Sequence, residues 1–229
     1  MNVSQADPLI GQHAIHWVMC GEAYAPSKRQ NIDQWELLDY ATDYCTYVNE
    51  DDQCIVAYKG TTNTRDLLQD ALITKFNVPS RGFTSIPYVK ELLETYSVQV
   101  TGHSLGGAVA RVVASSLGLG VVTFNEAAPP TAYVTNPSNS ASYHIVWDII
   151  SAWQQPTLRI DKNFRGTSVN SVKSWSTAHS LSSFSNERMG RPVGADFENH
   201  LFQDWWKRLS LATKISLKLF VIKELPEIK

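Results

Sequence analysis

Short apolar runs alternate with amphipathic segments along most of this chain. Four runs are short and rich in β-branched or aromatic residues: "CIVAY" (54–58), "SVQV" (97–100), "GVVTF" (120–124) and "YHIVW" (143–147). Runs of this length and composition predict strands that are buried in the interior of a sheet.

Apolar residues recur at helical spacing before and between these strands. The segments concerned are residues 12–24, 66–73, 86–96 and 105–117. Strands that alternate with helices pair in parallel and carry helices on both faces of the sheet. The pattern therefore predicts an α/β fold with a doubly wound, mostly parallel sheet. Ligand sites in such sheets lie beyond the carboxyl ends of the strands, where Thr61, Ser104 and Asp148 are expected.

Length and composition fit one globular domain with an appendage. The chain has 229 residues, of which 43% are hydrophobic and 18% charged. We assign residues 1–203 to the α/β domain and residues 204–229 to a basic, tryptophan-rich C-terminal helix. The net charge of −2 gives no general attraction to nucleic acid, so no nucleic-acid partner is expected.

The first residues, "MNVSQADPLIGQ", lack a basic start and a long apolar run, so no signal peptide is predicted. No apolar run is long enough to predict a transmembrane span. Three cysteines without paired spacing indicate a reducing compartment. These features predict a cytoplasmic protein or one on an intracellular membrane surface.

The run "VTGHSLGGAVA" (100–110) places a serine between two glycines, after a predicted strand and before a predicted helix. In this context a Gly-x-Ser-x-Gly motif predicts a nucleophile elbow, whose strained turn exposes the serine hydroxyl. Residues two before and two after the serine come close together, which explains Gly102 and Gly106. The backbone N–H of Leu105, at the positive end of the helix, is a predicted oxyanion donor. A glycine-rich turn with an incidental serine is the alternative.

Three segments together resemble the class 3 lipases, a branch of the α/β-hydrolase fold. "QVTGHSLGGAVAR" (99–111) resembles the elbow of that family, and "IVAYKGTTNTRDLLQDALI" (55–73) resembles its upstream Gly-Thr block. "RGF" (81–83) resembles the entry to the helix before the elbow strand. The resemblance covers residues 12 to 185 and implies an α/β-hydrolase that cleaves acyl esters.

A serine nucleophile needs a base, and in this fold the chain order is serine, acid, histidine. His144 precedes the best acid candidate and is interpreted as structural. His179, in "STAHSLSSF", resembles the histidine segment of the family and is the predicted base. His200, in "FENHLFQDW", remains an alternative.

Asp148 directly follows "YHIVW" and is the predicted acid, because a carboxylate at a strand's carboxyl end lies on the same sheet edge as the elbow. It also resembles the aspartate of the family. Asp161 is in the right chain order and remains a fallback, while Asp196 lies in less strand-like surroundings.

The second oxyanion donor is predicted from the loop after an earlier strand. Thr61 matches the Gly-Thr position of the family. The chain departs from the family pattern in "TFNEAAPPT" (123–131), where Asn125 and Glu126 replace expected small residues. We expect this change to affect the shape and charge of the acyl pocket.

These residues predict a serine carboxylic-ester hydrolase of the lipase or phospholipase type, which acts on lipid or small acyl esters and needs no metal or organic cofactor. A thioesterase or acyltransferase on the same triad is one alternative. A non-catalytic lipid-binding or interaction module on a hydrolase scaffold is another. The C-terminal segment, residues 204–229, either packs on the domain or contacts a membrane surface peripherally.

Overall fold

A computed structural model of this chain contains a mixed β-sheet with helices on both faces. The residues that it describes are 1–25, 31–61, 80–127, 140–146, 148, 162–166, 179–185 and 189–193. Nine strands lie within these residues: β1 (Asn31–Ile32), β2 (Trp35–Tyr40), β3 (Tyr44–Val48), β4 (Gln53–Tyr58), β5 (Ser97–His103), β6 (Gly120–Phe124), β7 (Ser140–Val146), β8 (Lys162–Gly166) and β9 (Met189–Val193).

The described helices precede the sheet or connect its strands. Helix α1 covers Ala14–Glu22, the described part of α2 covers residues 80–92, and α3 covers Leu105–Leu117. Short 3-10 segments are formed by Val3–Gln5, Pro8–His13 and Leu181–Phe184.

The strands lie in the sheet in the order in which they follow one another along the chain. Neighbouring strands from β4 to β8 pair in parallel, whereas β1 to β4 and β8 to β9 pair antiparallel. Parallel strands end at the same edge of a sheet. The residues that follow β4, β5 and β7 therefore meet at one edge, and this edge carries the candidate site.

The sheet separates two hydrophobic cores. On one face, α1 packs against strand residues; this core includes Trp17, Met19, Ile55, Ala57, Val122, Phe124 and Tyr143. On the other face, α2 and α3 pack against the alternate strand residues; this core includes Val56, Tyr58, Val89, Val100, Val109, Val112 and Val121. Strand β4 is buried on both sides, which explains why its sequence is continuously apolar rather than alternating.

Helix α3 matches its predicted bounds, residues 105–117, and its first ten residues are buried. Apolar residues at helical spacing predicted that Val109, Val112, Val113 and Leu117 lie on one side of this helix. The three valines are buried against the sheet, and Leu117 is partly buried against the same core; full burial of such a side chain stabilises by about 1.5–3 kcal/mol. The helix ends at Gly118, which has the left-handed φ of 69° that glycine adopts without strain.

The predicted α/β architecture with helices on both faces is confirmed. The face of the sheet opposite α2 and α3 is covered by α1, which precedes the sheet in the sequence. The antiparallel strands β1 to β3 were not predicted, because they lie near a sheet edge and mix polar with apolar residues. Helix α1 is shorter than the predicted 12–24. Helix α2 ends at residue 92 rather than 96, and its described part begins at residue 80, before the predicted start at 86.

Two predicted segments lie outside the described residues: the helix at 66–73 and the C-terminal segment 204–229, together with the domain boundary before it. Both stay predictions. Among the helices that the structure describes, none has the length and apolar character needed to span a membrane.

Candidate active site

Ser104 lies at a sharp turn between β5 and α3. Its φ of 58° and ψ of −128° fall in a region that non-glycine residues rarely adopt. Residues held in such conformations persist only where the surrounding structure enforces them. The backbone on both sides of the turn supplies that constraint: the N–H of Ser104 donates to the carbonyl of Phe124 at 3.2 Å, and its carbonyl accepts from the N–H of Ala127 at 3.0 Å.

The two glycines of the elbow are required by close backbone contacts. A Cβ on Gly102 would lie 2.3 Å from the carbonyl carbon of Gly106. A Cβ on Gly106 would lie 2.1 Å from the carbonyl oxygen of Tyr58, at the end of β4. Real Cβ atoms do not approach backbone this closely, so any larger residue would push the elbow away from β4. The predicted packing role of both glycines therefore agrees with the geometry.

The imidazole of His179 joins Ser104 and Asp148. Its Nε2 lies 2.8 Å from Ser104 Oγ, and its Nδ1 lies 2.9 Å from each carboxylate oxygen of Asp148. All three side chains are buried. Because an ionised carboxylate only accepts hydrogen bonds, Nδ1 carries the proton and donates it to Asp148. The lone pair of Nε2 then faces the serine hydroxyl, which is the arrangement that proton abstraction requires.

Asp148 lies two residues beyond β7, at the sheet edge where the sequence predicted an acid. Its backbone N–H donates to the carbonyl of Ile145 at 3.0 Å, which turns the chain back after the strand. The structure thus brings together Ser104, Asp148 and His179, which lie far apart in the sequence. The alternatives Asp161, Asp196 and His200 lie outside the described residues.

Two backbone segments lie beside the serine. Leu105 is the first residue of α3, so its N–H has no partner within the helix and lies at the positive end of the helix dipole. Gly60 packs against the elbow, since a Cβ on it would lie 3.1 Å from Ser104 Cβ. Thr61 follows Gly60 and is half-buried. The role of Leu105 and Thr61 as oxyanion donors stays a prediction.

A buried ion pair braces the elbow helix. Arg111 of α3 contacts Glu126 through two hydrogen bonds, Nε to Oε1 at 3.0 Å and Nη2 to Oε2 at 2.8 Å. Thr123 donates to the same carboxylate at 2.5 Å, and Ser142 of β7 accepts from Arg111. Glu126 is fully buried, so its charge is balanced inside the fold by the guanidinium.

Asn125 also has a structural role that the sequence alone did not indicate. Its φ of 44° turns the chain after β6, and its side-chain oxygen accepts from the N–H of Ile145 at 2.9 Å. Asparagine tolerates this left-handed conformation better than most residues. The side chains of Asn125 and Glu126, the two positions that depart from the family pattern, therefore connect the end of β6 to β7 and α3 behind the elbow.

The remaining described histidines near the site are uncharged. Burial lowers the pKa of His144 to about 4, which agrees with its interpretation as a structural residue. Burial and the neighbouring His179 lower the pKa of His103 to about 3. His103 precedes the nucleophile and contacts both Tyr24 and the backbone of His179. Sequence reasoning missed these contacts, because Tyr24 lies 79 residues away from His103.

Within the described ranges, no group of three or more His, Cys, Asp or Glu side chains is arranged to hold a metal ion.

The sequence and the fold both resemble known lipases. Residues 82–122, which span most of α2, all of β5 and α3, and the start of β6, match the sequence model of the class 3 lipase family. No curated protein sequence matches the chain. Among solved structures, lipase II from Rhizopus niveus has a TM-score of 0.51 at 13% identity, over 66% of this chain and 78% of that lipase. The lipase from Rhizopus microsporus var. chinensis has a TM-score of 0.50 at 15% identity, over 66% and 72% of the two chains.

At this level of identity the structural similarity establishes the fold, which is the α/β-hydrolase fold predicted from the sequence. The predicted resemblance to the class 3 lipases is confirmed through the segment 82–122. Together they support an ester hydrolase activity of the lipase type.

Proposed function

We propose that this chain, which has the α/β-hydrolase fold and carries a class 3 lipase segment at residues 82–122, is a serine carboxylic-ester hydrolase that acts through an acyl-enzyme intermediate. The observation that carries the proposal is the continuous hydrogen-bonded line from Asp148 through His179 to the hydroxyl of Ser104. A serine hydroxyl at its ordinary pKa is a weak nucleophile, and an adjacent oriented base is what activates it.

In the proposed reaction, His179 Nε2 takes the proton from Ser104 Oγ as the oxygen attacks the carbonyl carbon of an ester. The carbonyl oxygen becomes an oxyanion, which the backbone N–H groups of Leu105 and Thr61 stabilise. The protonated imidazole then gives its proton to the leaving alcohol, and the acyl group remains on Ser104. Asp148 holds the imidazole in one orientation and stabilises its positive charge throughout.

Water completes the cycle by the same steps in reverse order. His179 takes a proton from the water, the resulting hydroxide attacks the acyl carbon, and the acid leaves as Ser104 regains its proton. The substrate is proposed to be a lipid or small acyl ester. An enzyme that transfers the acyl group to another acceptor, or cleaves a thioester, would use the same first step.

Covalent labelling with a fluorophosphonate probe tests the proposal. The probe phosphonylates an activated serine, so the native protein is expected to be labelled and Ser104→Ala is not. Ser116→Ala is a matched control, because Ser116 lies on the same helix but donates only to the carbonyl of Val112, one turn earlier. This control is expected to be labelled at the native rate.

Hydrolysis of p-nitrophenyl butyrate by Asp148→Asn provides the second measurement. An asparagine favours the wrong imidazole tautomer, so kcat is expected to fall by about 10⁴-fold. Labelling of Ser104→Ala would remove this serine from the mechanism. A folded native protein that neither reacts with the probe nor hydrolyses esters would instead support a non-catalytic binding module.

A further inference from the structure

His103, the residue before the nucleophile, connects two distant parts of the site. Its Nε2 lies 2.7 Å from the backbone carbonyl oxygen of His179. Its Nδ1 lies 2.8 Å from the hydroxyl of Tyr24, just beyond α1. The His103 side chain is 6% exposed, so both ring nitrogens make their contacts inside the protein.

These partners determine which ring nitrogen of His103 carries the proton. A carbonyl oxygen only accepts hydrogen bonds, so Nε2 must carry hydrogen and donate to His179. Burial keeps the imidazole neutral, as its lowered pKa of about 3 indicates. A neutral imidazole has one acceptor nitrogen, which is then Nδ1. The hydroxyl of Tyr24 therefore donates to Nδ1.

The Tyr24 hydroxyl also contacts the loop that holds the predicted oxyanion donor. Burial raises the pKa of Tyr24, and a hydrogen bond with the backbone of Gly60 opposes this shift. The contact is close enough that a Cβ on Gly60 would lie 2.3 Å from the Tyr24 hydroxyl oxygen.

We propose that Tyr24 and His103 are positioning residues that hold the base His179 and the Gly60–Thr61 loop in register with Ser104. The proposal rests on the hydrolase function proposed above. The hydrogen-bonded chain runs from the hydroxyl of Tyr24 to His103 and from His103 to the carbonyl of His179. The Tyr24 hydroxyl also packs closely against Gly60.

This chain constrains the base in a way that Asp148 does not. Asp148 orients the ring of His179 through its side chain, whereas His103 fixes the backbone from which that ring projects. Since His103 is covalently attached to Ser104, a shift of the His179 backbone is resisted by the same strand that presents the nucleophile. A displacement of about 1 Å in such a site can reduce the rate by about 100-fold.

The neutrality of His103 is part of this role. Its ring centroid lies 5.0 Å from that of His179. A positive charge at this distance would oppose the imidazolium that forms on His179 during the reaction. The Tyr24 hydroxyl, which occupies Nδ1 as a donor, allows His103 to fill both of its hydrogen-bonding roles without a charge.

Tyr24→Phe in the full chain tests the first link. The variant keeps the ring and removes only the hydroxyl, so we expect kcat for p-nitrophenyl butyrate to fall by about tenfold while KM stays within twofold. Tyr88→Phe is the matched control: it removes a tyrosine hydroxyl that donates to Thr46 at 2.8 Å, outside this hydrogen-bonded chain. We expect Tyr88→Phe to keep native kcat per active site.

A pair of variants at His103 tests the second link. Glutamine offers an N–H that can reach the His179 carbonyl, whereas leucine has a similar bulk and no donor. We expect His103→Gln to retain at least a third of native kcat and His103→Leu to fall by at least 30-fold, again with little change in KM. The number of folded sites is measured by fluorophosphonate burst titration, well below the melting temperature of each variant.

The proposed positioning role is overturned if Tyr24→Phe and folded His103→Leu both keep kcat within twofold of native. It is also overturned if His103→Gln and His103→Leu lose kcat equally. A change in melting temperature alone, with native kcat per titrated site, also overturns it in favour of a purely structural role. Failure of the hydrolase proposal is recognised separately, because Ser104→Ala would then retain its reactivity or the native protein would have none.

Discussion

The nucleophile and the base are held in place by two very different parts of the molecule. The elbow region (residues 97–117) is a strand, a turn and a helix that pack backbone against backbone, with Gly106 in contact with the end of β4. The base segment (residues 179–185) is a short stretch with a single 3-10 turn.

The base segment takes its position from contacts with residues far away in the sequence. His103 donates to the carbonyl of His179, and the indole N–H of Trp17 donates to the carbonyl of Leu181 at 2.8 Å. Near its end, the carbonyl of Phe184 accepts from the N–H of Asp7 at 3.1 Å. The elbow is therefore specified largely by local sequence, and the base segment by tertiary hydrogen bonds to His103 and to the first residues of the chain. We therefore expect substitutions in the elbow to cause large losses of stability and activity, and substitutions at the contacts of the base segment to cause smaller ones.

The largest expected effect is that of Gly106→Ala in the elbow. The added methyl would lie 2.1 Å from the carbonyl oxygen of Tyr58, which is backbone and has no room to move. We expect the variant to lose more than about 4 kcal/mol of stability and all detectable fluorophosphonate labelling. Thermal unfolding by circular dichroism measures the loss.

The matched control for this substitution is Gly21→Ala in α1. The nearest atoms to its added methyl would all belong to the side chain of Met1, whose sulfur would lie 2.7 Å away, and a flexible side-chain end can move aside. Alanine favours a helix over glycine by about 1 kcal/mol, so the control should be as stable as the native protein or more so. If the two variants had equal stability, the elbow would not be the rigid region described above.

An intermediate effect is expected for Arg111→Met behind the elbow. Loss of the guanidinium leaves the Glu126 carboxylate buried without its cation, which typically costs about 3–5 kcal/mol. The double variant Arg111→Met with Glu126→Leu removes both charges and should recover much of the loss. Urea unfolding of the native, single and double variants measures this coupling; a single variant within about 1 kcal/mol of native would show that the pair does not brace the elbow.

The smallest effect is expected in the base segment, for Trp17→Phe. The variant keeps an aromatic ring and removes the donor to the carbonyl of Leu181, so stability should fall by about 1 kcal/mol. We expect kcat to fall a few-fold as the base segment loosens. Trp35→Phe, which changes another buried tryptophan on β2, should keep native kcat. A larger loss of kcat in Trp35→Phe than in Trp17→Phe would contradict the anchoring role of Trp17.

The same contrast explains what the sequence could predict. Helix α3 and strand β6 were predicted with the observed bounds, because their hydrophobic patterns match a buried helix and a buried strand. The elbow motif is likewise local. The acid was predicted from the position of Asp148 after a strand, and the base from chain order and the family resemblance.

The parts that the sequence did not predict depend on tertiary structure. Arg111 and Glu126 lie 15 residues apart. No role was predicted for Arg111, and Glu126 was expected to affect the acyl pocket, whereas the fold buries the two together as an ion pair. Tyr24 and His103 are separated by 79 residues, and no periodicity or motif links a tyrosine after a helix to a histidine at the end of a strand. Strand β2 was missed because two of its exposed positions are apolar, Leu38 and Tyr40, so its sequence does not alternate between apolar and polar residues.

The anchor of Leu181 on Trp17 joins residues that are 164 positions apart. At ordinary rates of synthesis, of about 5–20 residues per second, a ribosome takes roughly ten to thirty seconds to cover that distance. We expect the strand and helix around Ser104 to leave the ribosome and pack first, while no proton acceptor yet exists for the hydroxyl. We therefore expect the nascent chain to be unable to attack an ester until the base segment docks onto the first helix, which carries Trp17.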